Sequence, residues 1–135
     1  MIFARRLESI FLQTGDIDIL DEAIHLVRIT ISQEPIDDPT LPTYSYTLAH
    51  MLVIRIGAQR PPSQQDIDEA MRLFLKCVYA TNTYDLVSRI AAARDLGRPE
   101  FISSGKMDWN ELARATEVAV RLLPKASSRA LKRDD

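Results

Sequence analysis

Few residues in this chain combine the type and the spacing that catalysis or metal binding needs. The only thiol is Cys77, and the only imidazoles are His25 and His50. Neither histidine belongs to a His-x3-His pair or a His-Cys cluster, the spacings that place zinc ligands together. Cys77 lies beside Phe74 and Val78, so we expect a packed thiol, because a reactive thiolate needs exposure and an electropositive setting. We therefore predict no metal site, and no catalytic residues.

Two short motifs resemble ligand-binding sequences but lack required residues. Ser103-Ser104-Gly105-Lys106 ends like a phosphate loop, yet Glu100 stands where the first glycine is required and Met107 replaces the final Ser or Thr. The basic pairs Arg5-Arg6 and Lys132-Arg133 are too short for a nucleic-acid patch. We expect no cofactor and no nucleic-acid partner.

The composition is that of a globular domain. The chain has 135 residues, enough for one domain that buries its core without disulfides or metal. Apolar residues make up 46% and charged residues 27%, which excludes a wholly disordered chain, a collagen-like fibre and a disulfide scaffold. The 17 Lys and Arg against 19 Asp and Glu give a net charge of −2, so no basic footprint for nucleic acid or anionic lipid stands out.

Cysteine usage and the N-terminal residues bear on the compartment. A single cysteine cannot form an internal disulfide, which favours a reducing environment. Arg5, Arg6 and Glu8 interrupt the first apolar residues too early for a secretory signal. The most apolar stretch, residues 48–58, is too short to span a bilayer. We expect a soluble cytoplasmic protein with no membrane partner.

Glycines and prolines divide the chain into six apolar segments. Their apolar residues recur with helical periodicity and not with strand alternation. The predicted helices cover about residues 2–13, 19–34, 42 or 43–56, 64–80, 84–96 and 109–123, with the longest loop at 97–106. We predict that Pro124 stops the sixth helix and that residues 125–135 form a polar tail or linker remnant.

Local signals predict where these helices begin and end. Gly15 follows the last periodic residue of the first helix, which is a helix stop. Asp16 or Asp18 can cap the second helix, and Thr83 can cap the fifth. Ser63-Gln64-Gln65-Asp66 resembles a capping box, and Asp108-Trp109-Asn110-Glu111 is a second capping signature.

The even-numbered helices align with one another. Asp21-Glu22-Ala23, Asp68-Glu69-Ala70 and Asn110-Glu111-Leu112 recur at spacings of 47 and 42 residues. Positions counted onward from the last residue of each triplet also correspond. Four residues on are Val27, Phe74 and Thr116, and seven residues on are Thr30, Cys77 and Ala119. Twelve residues on are Pro35, Asn82 and Pro124. The odd-numbered helices align through Phe3-Ala4, Leu48-Ala49 and Ile90-Ala91. The chain is therefore a candidate for an internal repeat.

The aligned positions tend to hold a small residue, then a large one, then a small one, and finally a proline. This pattern resembles the second helix of the tetratricopeptide repeat (TPR), and the resemblance covers nearly the whole chain. The resemblance implies an all-α fold of three antiparallel helix-turn-helix repeats, six helices, stacked as a short right-handed solenoid over residues 1–124. Two features depart from the TPR pattern. Ser45 and Val87 stand where an early aromatic is expected, and the period exceeds 34 residues.

A longer-period subfamily is a better match. Two parts of the chain resemble the repeats of fungal CHAT proteins. The first part, which resembles their repeats in general, comprises residues 11–16 and 20–24. The second part, which resembles their last repeat and the junction after it, comprises residues 108–109, 119–124 and 131–135. Those are large proteins in which TPR arrays precede a caspase-like domain with a His-Cys dyad. Neither His25 nor His50 has a glycine two residues on, and Cys77 lies within a helix, so that domain is not present in this sequence. The sequence is then either an excised fragment of a larger protein or a naturally short product that lacks the caspase-like domain.

The resemblance to TPRs also implies a binding surface, because the first helices of such repeats line a concave groove. It points to Arg5, Tyr46, His50 and Val53, with Ala92 and Arg89 in the third repeat, although these can equally be ordinary surface residues. The Asn/Lys/Arg set that clamps a peptide carboxylate in chaperone-binding members is not visible. We expect a non-catalytic interaction module, a scaffold or adaptor, that binds a peptide or helix of a protein partner.

The alternative is a self-association element of a larger protein of the TPR–CHAT type. The first helix carries much apolar surface for a solenoid end, in the form of Ile2, Phe3, Leu7, Ile10 and Phe11. Pairing with a second copy, or exchange of a helix through the 97–107 loop, would cover it and give a homo-oligomer. An enzyme would need a convergent polar set, which the sequence does not display.

Overall fold

Seven helices make up the part of the chain that the structure describes. The computed structural model describes the backbone of residues 2–133 and the side chains of residues 4–128. The helices are α1 Ile2–Thr14, α2 Ile17–Gln33, α3 Leu41–Ala58, α4 Gln64–Val78, α5 Leu86–Asp95, α6 Pro99–Ser103 and α7 Trp109–Arg133. No strand occurs between residues 2 and 133, which confirms the all-α class.

Three of the predicted capping signals begin helices. The side chains of Asp16 and Ser63 accept hydrogen bonds from backbone N–H groups in the first turns of α2 and α4. The carboxylate of Asp108 accepts from the backbone N–H of Asn110 at the start of α7, at 2.9 Å. These bonds satisfy amides that have no partner inside their own helix.

Asp85, and not Thr83, caps α5. Its carboxylate accepts from the backbone N–H of Ser88 at 2.9 Å. The hydroxyl of Thr83 accepts from the backbone N–H of Asp85 at 3.1 Å and so supports the capping residue. The prediction of Thr83 was wrong by two positions, because Ser, Thr and Asp are all good caps and several occur together here.

Gly15 ends α1 as predicted. Its φ of 73° lies in the left-handed region, and its backbone N–H donates to the carbonyl of Phe11 at 2.7 Å. Glycine reaches this conformation without the clash that a Cβ would cause, so the chain can turn directly into α2.

The helix count is seven and not six, because residues 97–106 are not simply a loop. Pro99 lies in the first turn of α6, where its missing N–H has no cost, and Phe101 is fully buried. The ring of Phe101 meets that of Phe74 edge to face, with centroids 5.9 Å apart. Five residues are too few to show a periodicity, so the sequence did not predict this helix.

Pro124 does not stop the last helix, since α7 continues through it to Arg133. Proline removes one backbone donor, which leaves the carbonyl four residues earlier without its helical partner. That carbonyl belongs to Val120, a residue on the exposed side of α7, where water can replace the missing donor. The boundary at residue 124 between repeat domain and tail stays a prediction.

Each helix packs against its successor in the chain, apart from the short α6. The pairs in contact are α1 with α2, α2 with α3, α3 with α4, α4 with α5, and α5 with α7. Alternate helices also meet, as α3 with α5 and α4 with α7. The side chains of Arg28 and Glu69 link α2 to α4, with 2.5 Å between Nη2 and Oε1.

The core lies around α3 and α4. Its largest fully buried side chains include Leu20, Ile24, Met51, Leu52, Ile56, Phe74, Leu96 and Phe101. Cys77 has no exposed surface and packs within this cluster, as its apolar neighbours in the sequence led us to expect.

The apolar residues of α7 are covered unequally. Leu112 and Ala119 are partly buried and pack against the core. In the structure Ala115 and Leu122 are buried, whereas Ala113, Thr116, Val120 and Leu123 are exposed. This helix carries two apolar rows, and the position of α5 and α4 decides which one is covered.

Candidate functional site

A groove with a volume of about 370 Å³ lies between three helices that are not consecutive in the chain. We call it the α1–α3–α5 groove. Its lining residues are Arg5, Glu8 and Ser9 from α1, Tyr46, Thr47 and His50 from α3, and Ser88 from α5. The groove is lined mainly by polar side chains, so it suits a ligand with hydrogen-bonding groups.

Two rings of α3 form one wall of the groove. Tyr46 and His50 are one helical turn apart and stack with their ring centroids 6.2 Å apart and their planes at 23°. The Tyr46 hydroxyl donates to Oδ2 of Asp95 at 3.1 Å, and its ring contacts Phe74. Tyr46 is therefore held by the core, whereas His50 keeps 45% of its side chain exposed.

The environment of Tyr46 keeps its hydroxyl protonated. Burial raises the pKa of Tyr46 to about 12, with a further contribution from the negative charge of Asp95. Asp95 is itself buried and lies 3.5 Å from Nε of Arg94 and 3.6 Å from Nη1 of Arg98. Tyr46 thus presents a neutral ring to the groove.

Charged groups of both signs meet at the α1 side. Nδ1 of His50 lies 3.7 Å from Oε1 of Glu8, a pair that attracts when the imidazole is protonated. Arg5, one turn before Glu8, is exposed and adds a positive charge to the same wall. The groove can therefore recognise a carboxylate through Arg5 and a hydrogen-bond donor through Glu8.

A carboxylate network fixes the α5 side. Oδ2 of Asp85 accepts from the hydroxyls of Thr43 and Ser88, each at 2.6 Å. Burial alone would raise the pKa of Asp85, but the hydrogen bonds from Ser88 and Thr43 outweigh it and, with the charge of Arg5, hold that pKa below its ordinary value. This network joins the start of α3 to the start of α5 and so positions Ser88 at the groove.

Three of the six predicted groove residues lie together. Arg5, Tyr46 and His50 all line the α1–α3–α5 groove. Val53 and Arg89 do not, because both are buried. Val53 belongs to the core cluster, and Nε of Arg89 donates to the backbone carbonyl of Val78 at 2.9 Å.

The error on α5 is a rotation of one residue. Ser88 lines the groove, while Arg89 turns inward and Ala92 has no exposed surface. One residue turns a helix by about 100°, enough to move a side chain from the surface to the core. Sequence reasoning also missed Glu8, Ser9 and Thr47; the first two lie three and four residues after Arg5, the spacing that shares a helical face.

The remaining side chains that could bind a ligand or take part in catalysis lie outside the α1–α3–α5 groove. His25 is exposed on α2, and Trp109, the first residue of α7, is 66% exposed. Burial raises the pKa of the Cys77 thiol to about 12. Within the described residues, no three His, Cys, Asp or Glu side chains are grouped as metal ligands would be.

None of the described helices combines the length and apolarity that crossing a bilayer requires.

No protein-family model, no curated protein and no solved structure matches this chain.

Proposed function

We propose that the chain is a TPR-like helical repeat domain that binds a peptide or helix of a partner protein in the α1–α3–α5 groove, as a non-catalytic scaffold or adaptor. The repeats would be the hairpins α1–α2, α3–α4 and α5–α7. Two kinds of contact support this arrangement: each helix except α6 packs on the next long helix, and α3 meets α5 as α4 meets α7. Stacked hairpins produce contacts of both kinds. The single cysteine supports a cytoplasmic location.

The observation that carries the proposal is that the first helix of each of the three hairpins contributes to the same groove. In a stack of helical hairpins, the inner surface is made by the first helices, and extended ligands lie along it. Arg5, His50 and Ser88 come from parts of the sequence far apart, so only the packing of the hairpins places them on one surface.

The lining residues indicate the partner's chemistry. The stacked rings of Tyr46 and His50 offer a platform for an aromatic or flat side chain. Arg5 offers a charge-assisted contact to an Asp or Glu side chain. We expect bound segments to combine an aromatic residue with an acidic one.

The test is selection of binders from a random peptide library, followed by affinity measurement against three proteins. These are the wild type, His50→Glu and the matched control His25→Glu. His25 is exposed on α2 and does not line the groove. We expect His50→Glu to weaken selected peptides about tenfold or more, which is about 1.4 kcal/mol, with no change in the control.

Circular dichroism of both variants establishes that they fold. His50 is preferable to Tyr46 as the site of substitution, because the Tyr46 hydroxyl holds Asp95 and its ring packs on Phe74. If the selected peptides bind all three proteins equally well, the groove is not the binding site and the proposal fails.

The second candidate is a self-association element of a larger protein of the TPR–CHAT type. It is favoured by an open hollow of about 520 Å³ on the outside of α1, lined by Arg5, Arg6, Ser9, Ile10 and Gln13. Ile10 is 41% exposed and Leu12 is 63% exposed. Under this candidate Ile10→Glu abolishes an oligomer that the wild type forms, as measured by light scattering.

A further inference from the structure

A small hollow of about 190 Å³ lies where α2 and α4 end and α3 and α5 begin. We call it the Ser45 hollow, and its lining residues include Asp38, Leu41, Pro42, Ser45, Lys76 and Asn82. It shares no residue with the α1–α3–α5 groove. Pockets for drug-sized ligands measure roughly 300–1,000 Å³, so this smaller space suits a molecule about the size of one amino acid.

Ser45 lines the hollow with a hydroxyl that has no partner. The residue is only 2% exposed. Between residues 4 and 128, no group forms a hydrogen bond with this hydroxyl. In the same part of the chain, the fully covered polar atoms that lack a partner belong to Arg98 and Glu100, so the Ser45 oxygen is not fully covered, and the hollow is what reaches it. Buried hydroxyls are normally hydrogen-bonded, so this one is available to a bound molecule.

Two opposite charges line the hollow without pairing with each other. Lys76, in the last turn of α4, is exposed and has no ion pair with any described side chain. Asp38 lies on the α2–α3 side, where the backbone N–H and the hydroxyl of Thr40 donate to its Oδ1 at 2.8 and 2.7 Å. These bonds hold the pKa of Asp38 below its ordinary value. Glu34 lies on the same side, since a hydrogen bond with Asp38 raises the pKa of Glu34.

The rim of the hollow is fixed by a bond between two loops. Nδ2 of Asn82, in the α4–α5 loop, donates to the backbone carbonyl of Asp37, in the α2–α3 loop, at 3.0 Å. Ile36 also lines the hollow and is 96% exposed. With Leu41 it forms an apolar wall, and a molecule that covered this wall would remove apolar surface from water.

We propose that the Ser45 hollow binds a small free amino acid with an apolar side chain. The ammonium group of the ligand pairs with Asp38, and its carboxylate pairs with Lys76 and accepts from the Ser45 hydroxyl. Its side chain lies against Leu41 and Ile36. A ligand with one charge would leave one of the two opposite charges without a partner, which is why the ligand carries both.

The first experiment titrates the isotope-labelled whole chain with L-leucine, L-valine or L-methionine at millimolar concentration and follows the backbone amide signals by NMR. We expect shifts at Ile36, Lys76 and Ala80, which line the hollow. Glu8 and His50 line the groove, and their signals should stay unchanged. Binding at the hollow therefore stands or falls independently of peptide binding, and His50→Glu leaves it intact.

Two analogues of L-leucine test whether both charges are read. Isopentylamine lacks the carboxylate, and isocaproate lacks the ammonium group. Each should bind about tenfold more weakly than L-leucine or worse, because each loses hydrogen bonds between charged groups.

Two variants test the assigned partners of the carboxylate. Ser45→Ala should weaken L-leucine about tenfold, and Lys76→Gln about threefold, since Lys76 is exposed to water. Neither variant should change the affinity for isopentylamine, which has no carboxylate. The matched control is Lys125→Gln, at an exposed position of α7 outside the hollow, which should alter neither affinity. Circular dichroism of the three variants should show the helix content of the wild type.

The results that overturn the proposal are distinct from these. If none of the three amino acids shifts a signal at the hollow, the space holds water only. The proposal also fails if isopentylamine or isocaproate binds as tightly as L-leucine. It fails as well if Ser45→Ala weakens L-leucine and isopentylamine equally, since the hydroxyl then has a structural role and does not contact the carboxylate.

Discussion

Arg55 and Asp66 form a two-pronged ion pair that joins α3 to α4. Nε and Nη2 of Arg55 donate to the two carboxylate oxygens of Asp66 at 2.8 and 2.7 Å, and Nη1 donates to Asp21 of α2 at 2.9 Å. The hydrogen bond to Asp66, and after it that to Asp21, hold the pKa of Arg55 above its ordinary value although burial opposes this. One side chain thus ties three helices together near the start of α4.

The two carboxylates of this cluster should differ in their importance for stability. Asp66 is 5% exposed, whereas the side chain of Asp21 is 47% exposed. Asp66→Asn should lower the free energy of unfolding by about 3 kcal/mol, because it leaves the guanidinium of Arg55, a side chain only 16% exposed, without its main partner. Asp21→Asn should cost less than about 1 kcal/mol, since water screens that pair. Urea denaturation at neutral pH measures both, and equal losses would contradict this interpretation.

Tyr46→Phe should remove both a hydrogen bond and a pH dependence. We expect a loss of about 1–2 kcal/mol, because Asp95 loses a donor in a buried setting. The wild type should also show a tyrosinate absorbance step near pH 12 that the variant lacks.

The sign of the accompanying stability change follows from linkage. The pKa of Tyr46 rises from 10.0 to about 12 in the folded protein, so the folded state keeps the proton longer than the unfolded chain. The corresponding stability is present below pH 10 and is lost as the pH rises toward 12. Unfolding curves of the wild type and Tyr46→Phe should therefore converge over this range; curves that stay parallel would contradict the role of the hydroxyl.

Cys77 should be almost unreactive in the folded protein. Its thiol is fully buried, and burial raises its pKa to about 12, so very little thiolate is present at neutral pH. A thiol reagent should label Cys77 slowly in buffer and rapidly in urea. The control is Val87→Cys in a Cys77→Ala background, a position 70% exposed, which should label rapidly in both. Native labelling of Cys77 at the control's rate would show that the core around α4 opens readily.

Two glycine substitutions should have opposite effects. Gly15 has a φ of 73°, so Gly15→Ala forces a Cβ into the left-handed region and should destabilise the protein by about 1–2 kcal/mol. Gly57 lies within α3, and a Cβ added there would meet open space, so Gly57→Ala should stabilise by about 0.5–1 kcal/mol. Thermal unfolding of both variants measures the two signs, and a loss at Gly57 would contradict the helix bounds of α3.

Sequence patterns predicted features that depend on a few neighbouring residues. The stop at Gly15 and the caps at Asp16, Ser63 and Asp108 are local, because a turn or a cap involves atoms within three or four residues. The resemblance to TPRs pointed to Arg5, Tyr46 and His50, which line the α1–α3–α5 groove, but also to Val53 on α3, which is buried. On α5 the prediction was shifted by one residue, so it named Arg89 and missed Ser88.

By itself, then, the sequence determined an all-helical chain and most of its helix starts and stops, and it pointed to three residues that the structure places side by side. The tertiary structure alone decided that Val53 and Arg89 are buried, that Phe101 enters the core from a short helix, and which side of α7 faces solvent. The reason is that α3 and α7 have apolar residues on more than one side. Hydrophobic periodicity then shows that a helix forms, but only the placement of neighbouring helices determines which side is covered.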